Sequence, residues 1–509
     1  MIIVYHHNRQ VEAIDCMGEA IDVDSPRNIA AQLFQLARHY PNALLVWCDV
    51  VCKEQLNTEA IPKLFHHKRM LHSFGNTPYL SKDIGFVENS PFINVKHTVQ
   101  YPTWQMCSLV GVMHSSILNA IDQKIFKNAD FDYFLNSLAK LLMPLGVFCY
   151  HSPQLLNKQT NSSKDGASVK TLFRFVKQHY KTRWVFLLFL NVWFYKKQFP
   201  IAALCMSLFY KRRSLKPNLI DSIPLQSSKP FPDAVSVDVI IPTIGRTQYV
   251  MAVINDLAKQ TLLPKKVIIV EQNPDAGSVS ALETDMKKAW PFEIKHIFIH
   301  KTGACHARNL ALQEVIADWV FLADDDIELE PIFLNNAIEQ IKKTGSKALT
   351  VSCLQKHEKE KHTASLQWST FGSGCSIVET KSLDGVKFDV AMEHGYGEDA
   401  DFGMQLRNKG VDIMYVPKPS LLHLKAPVGG FRTKPVLPWQ DGELLPKPSP
   451  TIMRFHLKHR TREQILGYKT SLFLKYYRKQ PIKNPVKYYK YFKKQWNKSV
   501  FWAEKLGEG

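Results

Sequence analysis

No stretch of this sequence approaches the roughly 20 consecutive apolar residues that a helix needs to cross a bilayer. The strongest candidate, WVFLLFLNVWFY, runs only from Trp184 to Tyr195, between Arg183 and Lys196. The N-terminus, MIIVYHHNRQ, lacks the basic segment followed by an apolar segment that marks a secretory leader. The nine cysteines lack zinc-site spacing: Cys48 and Cys52 are close, but no second pair matches them. They read as reduced, mostly buried residues, the usage expected of a cytoplasmic protein. No zinc-finger, helix-turn-helix or RNP-type pattern accompanies the basic residues, so nucleic acid is not expected as a partner.

What is abundant is positive charge. The 509 residues carry a formal net charge of +19, with 45% apolar and 22% charged residues, a globular composition too long for one core. Such an excess implies an anionic partner, a phosphorylated substrate or an acidic membrane surface. Two segments concentrate it. In PIKNPVKYYKYFKKQWNK there are six lysines and no acid. On a helix, Lys483, Lys487, Lys490, Lys494 and Lys498 share one face, and Tyr489, Phe492 and Trp496 the opposite one. That pattern suits an anionic membrane, or a solvated lysine face backed by packed aromatics. The stretch from Trp184 to Tyr210 reads either as a buried helical hairpin or as an element lying in one leaflet, with Trp, Tyr and Lys/Arg at headgroup depth. The expectation is peripheral contact with anionic membrane, on the cytoplasmic face of the plasma membrane.

The chain divides into four segments: an N-terminal α/β domain over 1–160, a basic and apolar helical region with a Pro/Ser-rich linker over 161–235, a larger α/β domain over 236–445, and a basic aromatic tail over 446–509. In the third segment VSVDVIIPTIGR is a buried strand running into a loop, and TQYVMAVINDLAKQT has helical spacing. KKVIIVEQ, FEIKHIFIH and DWVFLAD are further strands, and CHARNLALQEVI is a helix. This alternation predicts a doubly wound parallel sheet, whose ligands bind beyond the carboxyl ends of the strands. In the first segment ALLVWCD is a buried strand ending in one Asp. The stretch from Ala129 to Leu156 echoes the one from Glu398 to Leu424, as a worn internal repeat or as two similar helix–turn–strand units.

One strand end is unusual. FLADDDIELEP, Phe321 to Pro331, passes from an apolar run into three adjacent carboxylates. Like charges so close are comfortable beside a divalent cation, and Mg²⁺ or Mn²⁺ commonly bridges one or two carboxylates to substrate phosphates. Pro242, Thr243 and Arg246 follow the first strand and could hold a base; Glu271 ends the second and could accept from a base edge. GACHARN places Gly303 and Arg308 at a helix start, where a nucleotide or phosphate can sit. In HGYGEDADFGMQLRNKG, Glu398 and Asp399 open a helix, a position the dipole alone favours, or one from which a carboxylate takes a proton from a sugar hydroxyl. His423, after the last strand, is a structural histidine or a third metal ligand.

PTIGR, Glu271, GACHARNLAL, FLADDDIELEP, GYGEDADFGMQLRNKG and LLHLKAP occur in order over about 190 residues. Together they resemble a family-2 inverting glycosyltransferase of the GT-A fold. The resemblance implies a nucleoside-diphosphate sugar donor, often a UDP-sugar, and Mg²⁺ or Mn²⁺. It implies that Thr243, Arg246, Glu271 and Arg308 contact the nucleoside. Asp324 and Asp326 would be the D-x-D acids, Asp326 the metal ligand with His423 beside it, although a triplet also admits a register one residue away. Asp399 would be the catalytic base. The acceptor expected is a hydroxyl of a glycan or lipid-linked glycan, as in polysaccharide biosynthesis. Loop 427–445, with Gly429, Gly430 and Trp439, reads as a closing lid or an ordered connector. A nucleotidyltransferase is disfavoured because PTIGRTQ is not a Gly-rich basic phosphate loop. The alternative from another class is a non-catalytic sugar-nucleotide sensor or scaffold of a glycan assembly complex.

Overall fold

A computed structural model describes residues 1–508 except 8–9, 17, 22–27, 95–97, 127–129, 159–165 and 428–435. The chain forms two compact units. The N-terminal unit comprises Met1–Ser228 and Arg460–Tyr476; the C-terminal unit comprises Lys229–His459 and Tyr477–Gly509. Segments 161–228 and 460–476, which the sequence reading sets apart, therefore belong to the N-terminal unit. The physical reason is burial. Phe173, Phe175, Val176, Val185 and Leu188 complete the same core as Leu45, Trp47 and Leu71, and Gln464 donates to the carbonyls of Glu88 and Ser90.

The N-terminal sheet contains β1 (Ile2–His7), β2 (Gln10–Cys16), β3 (Glu19–Ile21), β4 (Leu44–Asp49), β5 (Met70–Phe74), β6 (Tyr101–Pro102), β7 (Val110–His114) and β8 (Phe148–His151), in the order β3-β2-β1-β4-β7-β5-β8-β6. Helix Phe131–Leu142 begins at Asp130, whose carboxylate accepts from the Tyr133 N–H, an N-cap that satisfies one orphan donor of the first turn. It buries Phe131, Phe134, Leu135 and Leu138 against the sheet.

The C-terminal sheet contains β9 (Val237–Ile244), β10 (Lys266–Gln272), β11 (Glu293–Ile299), β12 (Trp319–Ala323), β13 (Ile327–Glu328), β14 (Ala348–Leu354), β15 (Leu366–Gln367), β16 (Cys375–Glu379) and β17 (Ile413–His423). Its order is β11-β10-β9-β12-β16-β14-β17-β13, with β15 on β17. The first four strands are parallel, as their apolar runs and helical connections require. The sheet is not parallel throughout. β16 runs antiparallel between β12 and β14, and only β14 and β17 are parallel beyond it. The result is a mixed α/β sheet, consistent with a GT-A fold.

Six strands of the N-terminal unit repeat six of the C-terminal unit in position and sense. β1 and β4 are parallel like β9 and β12; β7 is antiparallel to β4 and β5 as β16 is to β12 and β14. β5 and β8 are parallel like β14 and β17, and β6 caps β8 as β15 caps β17. Helices Phe131–Leu142 and Glu398–Asn408 occupy the same place, before β8 and β17. The echo between residues 129–156 and 398–424 is thus part of a topological repeat. The differences lie at the edges: the antiparallel β2 and β3 stand in place of the parallel β10 and β11, and β13, paired with β17, has no counterpart among the described residues of the N-terminal unit.

The basic tail forms helix Pro485–Lys505 in the C-terminal unit. Phe492 and Trp496, opposite the lysine stripe, are buried, whereas Tyr489 is exposed. Residues 428–435 of the expected lid lie outside the described residues. Trp439, in its second half, is buried with its ring 6.2 Å from that of Trp502.

Helix Arg462–Tyr477 approaches the N-terminal core through Gly467, where an added Cβ would collide with the Phe86 backbone. Gly467→Ala is expected to destabilise the N-terminal unit by about 2 kcal/mol, the usual cost of overpacking against a backbone that cannot yield. Thermal unfolding checks this; an unchanged midpoint would show that the helix does not depend on this close approach.

Candidate active site

The carboxyl ends of β9, β10 and β12 open onto a cavity of about 520 Å³ within the C-terminal unit. Ten of the eleven site residues expected from the sequence line it: Pro242, Thr243, Arg246, Gly303, Arg308, Asp324, Asp326, Glu398, Asp399 and His423. Glu271 is not among the lining residues; its neighbour Gln272 is. The Glu271 carboxylate accepts from the Ser280 hydroxyl (2.5 Å) and the Ala281 N–H (3.0 Å), and lies 2.9 Å from His296 Nε2, so it ties down the loop after β10.

Each acid of the triplet has its own partner. Asp324 Oδ1 accepts from Arg308 (2.9 Å) on helix Ala304–Gln313. Asp325 accepts from the Thr243 hydroxyl (2.7 Å) and Arg246 (2.6 Å) at the end of β9. Asp326 accepts from the Ala426 N–H (2.9 Å), lies 3.3 Å from Arg246, and stands 3.4 Å from His423 Nε2. Burial pushes Asp325 up to about 6, with Arg246 and Thr243 pulling the other way. Burial acts on Asp326 in the same sense, but the bonds from His423 and Ala426 hold it below the usual carboxylate range, and His423 is raised in return. Thr243, Arg246 and Arg308, expected to contact a nucleoside, thus have nearer partners in the acids themselves.

Among the described residues no group of three or more His, Cys, Asp or Glu side chains is arranged to hold a metal ion. Asp326 and His423 do stand side by side, because β13 pairs with β17 through Ile327 and His423. Two protein donors beside an open cavity fit a cation whose other ligands come from a diphosphate, not one held by protein alone.

Glu398 and Asp399 open helix Glu398–Asn408, entered through Gly397 at φ 115°, a left-handed conformation that favours glycine. Both face the cavity. Burial raises Asp399 above the usual carboxylate range, with Arg308 and Ser373 opposing it. Burial and the adjacent Asp399 push Glu398 up to about 7, and its buried Oε2 has no hydrogen-bond partner among the described residues. The Ser373 hydroxyl donates to Asp399 Oδ1. The next residue, Gly374, accepts from the Asp324 N–H (3.3 Å), and a Cβ there would collide with the Asp324 carboxylate. Two adjacent small residues therefore bring the triplet and the helix acids together. Their signal in the sequence is the run Gly372-Ser373-Gly374 before a short apolar strand.

The start of helix Ala304–Gln313 differs from expectation. Its Cys305 and His306 N–H groups donate to Glu393 (3.0 Å each), so a carboxylate of this chain takes the place expected for a phosphate. Glycine suits position 303, whose φ is 149°, and a Cβ there would displace the Glu393 carboxylate. Lys425 and His394, also unforeseen, line the cavity.

The N-terminal unit has counterparts to two of these acids. The Asp49 N–H bonds the Leu109 carbonyl (2.7 Å), as that of Asp324 bonds Gly374, and the Ser108 N–H donates to Asp132 (3.3 Å), as that of Ser373 does to Asp399. Val50 and Val51 follow Asp49 where Asp325 and Asp326 follow Asp324.

Residues 238–392 match the model of the family described as Glycosyl transferase family 2, so the chain carries a glycosyltransferase domain of that family. A comparison with curated proteins found no match. Among solved structures the chain is similar to S. aureus TarS 1-349, at 20% identity and TM-score 0.32 over 37% of this chain and 60% of that one. It is similar to the same protein in complex with UDP-GlcNAc, at 19% identity and TM-score 0.36 over 46% and 70%. It is also similar to GalNAc-T7 with UDP, GalNAc and Mn2+, at 12% identity and TM-score 0.35 over 47% and 52%. The chain spans less than two thirds of the length of the first and the last of these.

Asp401, fully buried in the same helix, is held by His459 (2.6 Å) and Lys458 (2.7 Å) from helix Pro450–His459. Against burial, these two hold its carboxyl below the usual range. A depressed pKa contributes stability that is present above the unfolded value near 4 and lost as pH falls through the folded value. Asp401→Ala is expected to cost roughly 3 kcal/mol at neutral pH, as when one partner of a buried pair is removed, and less in acid. Unfolding curves at neutral and acidic pH check both parts.

Proposed function

We propose that this domain moves a sugar from a nucleoside-diphosphate sugar, a UDP-sugar in the first instance, to a hydroxyl of a glycan or lipid-linked glycan, with inversion at the anomeric carbon. The observation that carries the reading is the Ser373–Gly374 pair. It brings the carboxylate of Asp399 beside the acidic triplet, whose Asp326 stands next to His423 as a candidate pair of cation ligands, at one cavity. A glycosyl transfer from a diphosphate donor needs these two things together: a base for the incoming hydroxyl, and positive charge for the departing phosphate.

Asp399 accepts the proton of the acceptor hydroxyl as its oxygen bonds to the anomeric carbon. The bond from that carbon to the diphosphate oxygen breaks on the opposite face, and the electron pair leaves with the diphosphate. A Mg²⁺ or Mn²⁺ ion held by Asp326 and His423, with Asp324 nearby, would neutralise the diphosphate charge when bound. Asp325 keeps Thr243 and Arg246 in place beside it. Ser373 orients Asp399 and opposes its raised pKa. Glu398, pushed up to about 7 by burial and the adjacent Asp399, stands at the same wall.

The alternative role, a non-catalytic scaffold, fits the N-terminal unit. Its strand-end Asp49 is followed by Val50 and Val51, where Asp325 and Asp326 follow Asp324, so this strand end lacks the further acids that would hold a metal diphosphate.

Calorimetric titration of UDP with and without Mn²⁺ tests the donor site. Binding is expected to depend on metal in the wild type and to lose that dependence in Asp326→Ala; no binding of UDP, GDP or dTDP to wild type would move the weight to a scaffold. Asp399→Asn is expected to keep donor binding and lower transfer by about 10²- to 10⁴-fold. Because burial raises Asp399 and only its ionised form takes a proton, the rate is expected to fall with decreasing pH at a higher pH than the usual Asp value of about 4. Ser373→Ala, which removes a bond favouring the ionised form, is expected to move that acid limb higher still. A limb that stays put would remove Ser373 from the proton-transfer apparatus.

A further inference from the structure

Helices Arg183–Lys196 and Ile201–Leu208 of the N-terminal unit bury one side and leave an equally apolar side uncovered. Val185, Leu188, Val192, Ala203 and Leu204 face the core. Facing outward are Phe186, Trp193, Phe194 (54% exposed), Phe199 (58%), Met206 and Phe209 (89%). The aromatic rings form a contiguous cluster: Trp193 lies 5.3 Å from Phe199 and 5.1 Å from Phe194, and Phe189 lies 5.2 Å from Phe199. Scattered exposed apolar residues are ordinary, but a contiguous patch of this kind marks a surface that meets something apolar.

The charge around the patch says what that is. From residue 166 to residue 220 there is no Asp or Glu, against eleven Lys and Arg. Lys197, Lys211 and Arg212 are exposed at the ends of the two helices. A second copy of this chain would bring like charges together at the same face. A bilayer with anionic headgroups takes the aromatic side chains at its interface and the Lys and Arg side chains at its phosphates. No helix among the described residues is long and apolar enough to cross a membrane; the longer of these two has 14 residues.

We infer that the face of helices Arg183–Lys196 and Ile201–Leu208 docks, without spanning, onto an anionic lipid surface, with Phe194, Phe199 and Phe209 at interfacial depth. This docking is independent of the reading of the cavity. The lysine stripe of helix Pro485–Lys505 is a less suitable candidate, because Phe492 and Trp496 behind it are buried in packing.

Co-flotation of the full chain with vesicles of phosphatidylcholine, with and without phosphatidylglycerol, tests it. Wild type is expected to float with the phosphatidylglycerol vesicles alone, and less so as salt is raised. Phe194→Asp/Phe209→Asp and Lys197→Glu/Lys211→Glu are each expected to lower the bound fraction about tenfold at an unchanged melting temperature. Three results would overturn the inference: no flotation of wild type, equal flotation on neutral vesicles, or flotation that neither variant changes. A wild type that sediments as a dimer, stays off vesicles and becomes monomeric in the Phe194→Asp/Phe209→Asp variant would assign the face to a second copy.

Discussion

Three adjacent carboxylates repel one another, and the C-terminal unit is arranged around the relief of that repulsion. Arg308 reaches Asp324 from helix Ala304–Gln313, Thr243 and Arg246 reach Asp325 from β9, and His423 and the Ala426 N–H reach Asp326 from the end of β17. Three elements distant in sequence converge on three consecutive residues. All three line the cavity, and Asp325 and Asp326 are both buried; Asp325 holds the loop after β9, whereas Asp326 shares its part of the wall with His423. The acidic run is therefore a structural fastener and a ligand site at once, with the labour divided by position.

The same strand arrangement occurs in both units, and so does the way an acid is placed at the end of β4 or β12. What separates a site from a scaffold is small. Two valines follow Asp49 where two more acids follow Asp324, and the parallel β10 and β11, from which Gln272 reaches the cavity, have an antiparallel pair as their counterpart. Topology is retained where burial enforces it, whereas the chemistry depends on a few residues at one rim.

Much of this was legible in the sequence, because the signals were local. The apolar runs of β9, β10 and β12 end abruptly at polar residues, and the Glu398–Asp399 pair follows a Gly-Tyr-Gly turn. What was not legible depends on contacts made across long stretches of chain. Asp325 is paired with residues 82 and 79 positions away, so nothing near the triplet distinguishes the fastener from the ligands. Glu271 carries a strand-end signature, yet its partners in the following loop turn it from the cavity. Glu393 reaches a helix start 88 residues earlier. The antiparallel β16 and the return of residues 460–476 to the N-terminal unit depend on which faces find cover, which periodicity alone does not specify.

The division of labour within the triplet is the central claim, and thermal unfolding of Asp325→Asn beside Asp326→Asn tests it most directly. The expected result is a midpoint that Mn²⁺ with UDP raises in Asp325→Asn as in wild type, and that the same additions leave unchanged in Asp326→Asn. The reverse order, or equal responses in the two variants, would contradict it.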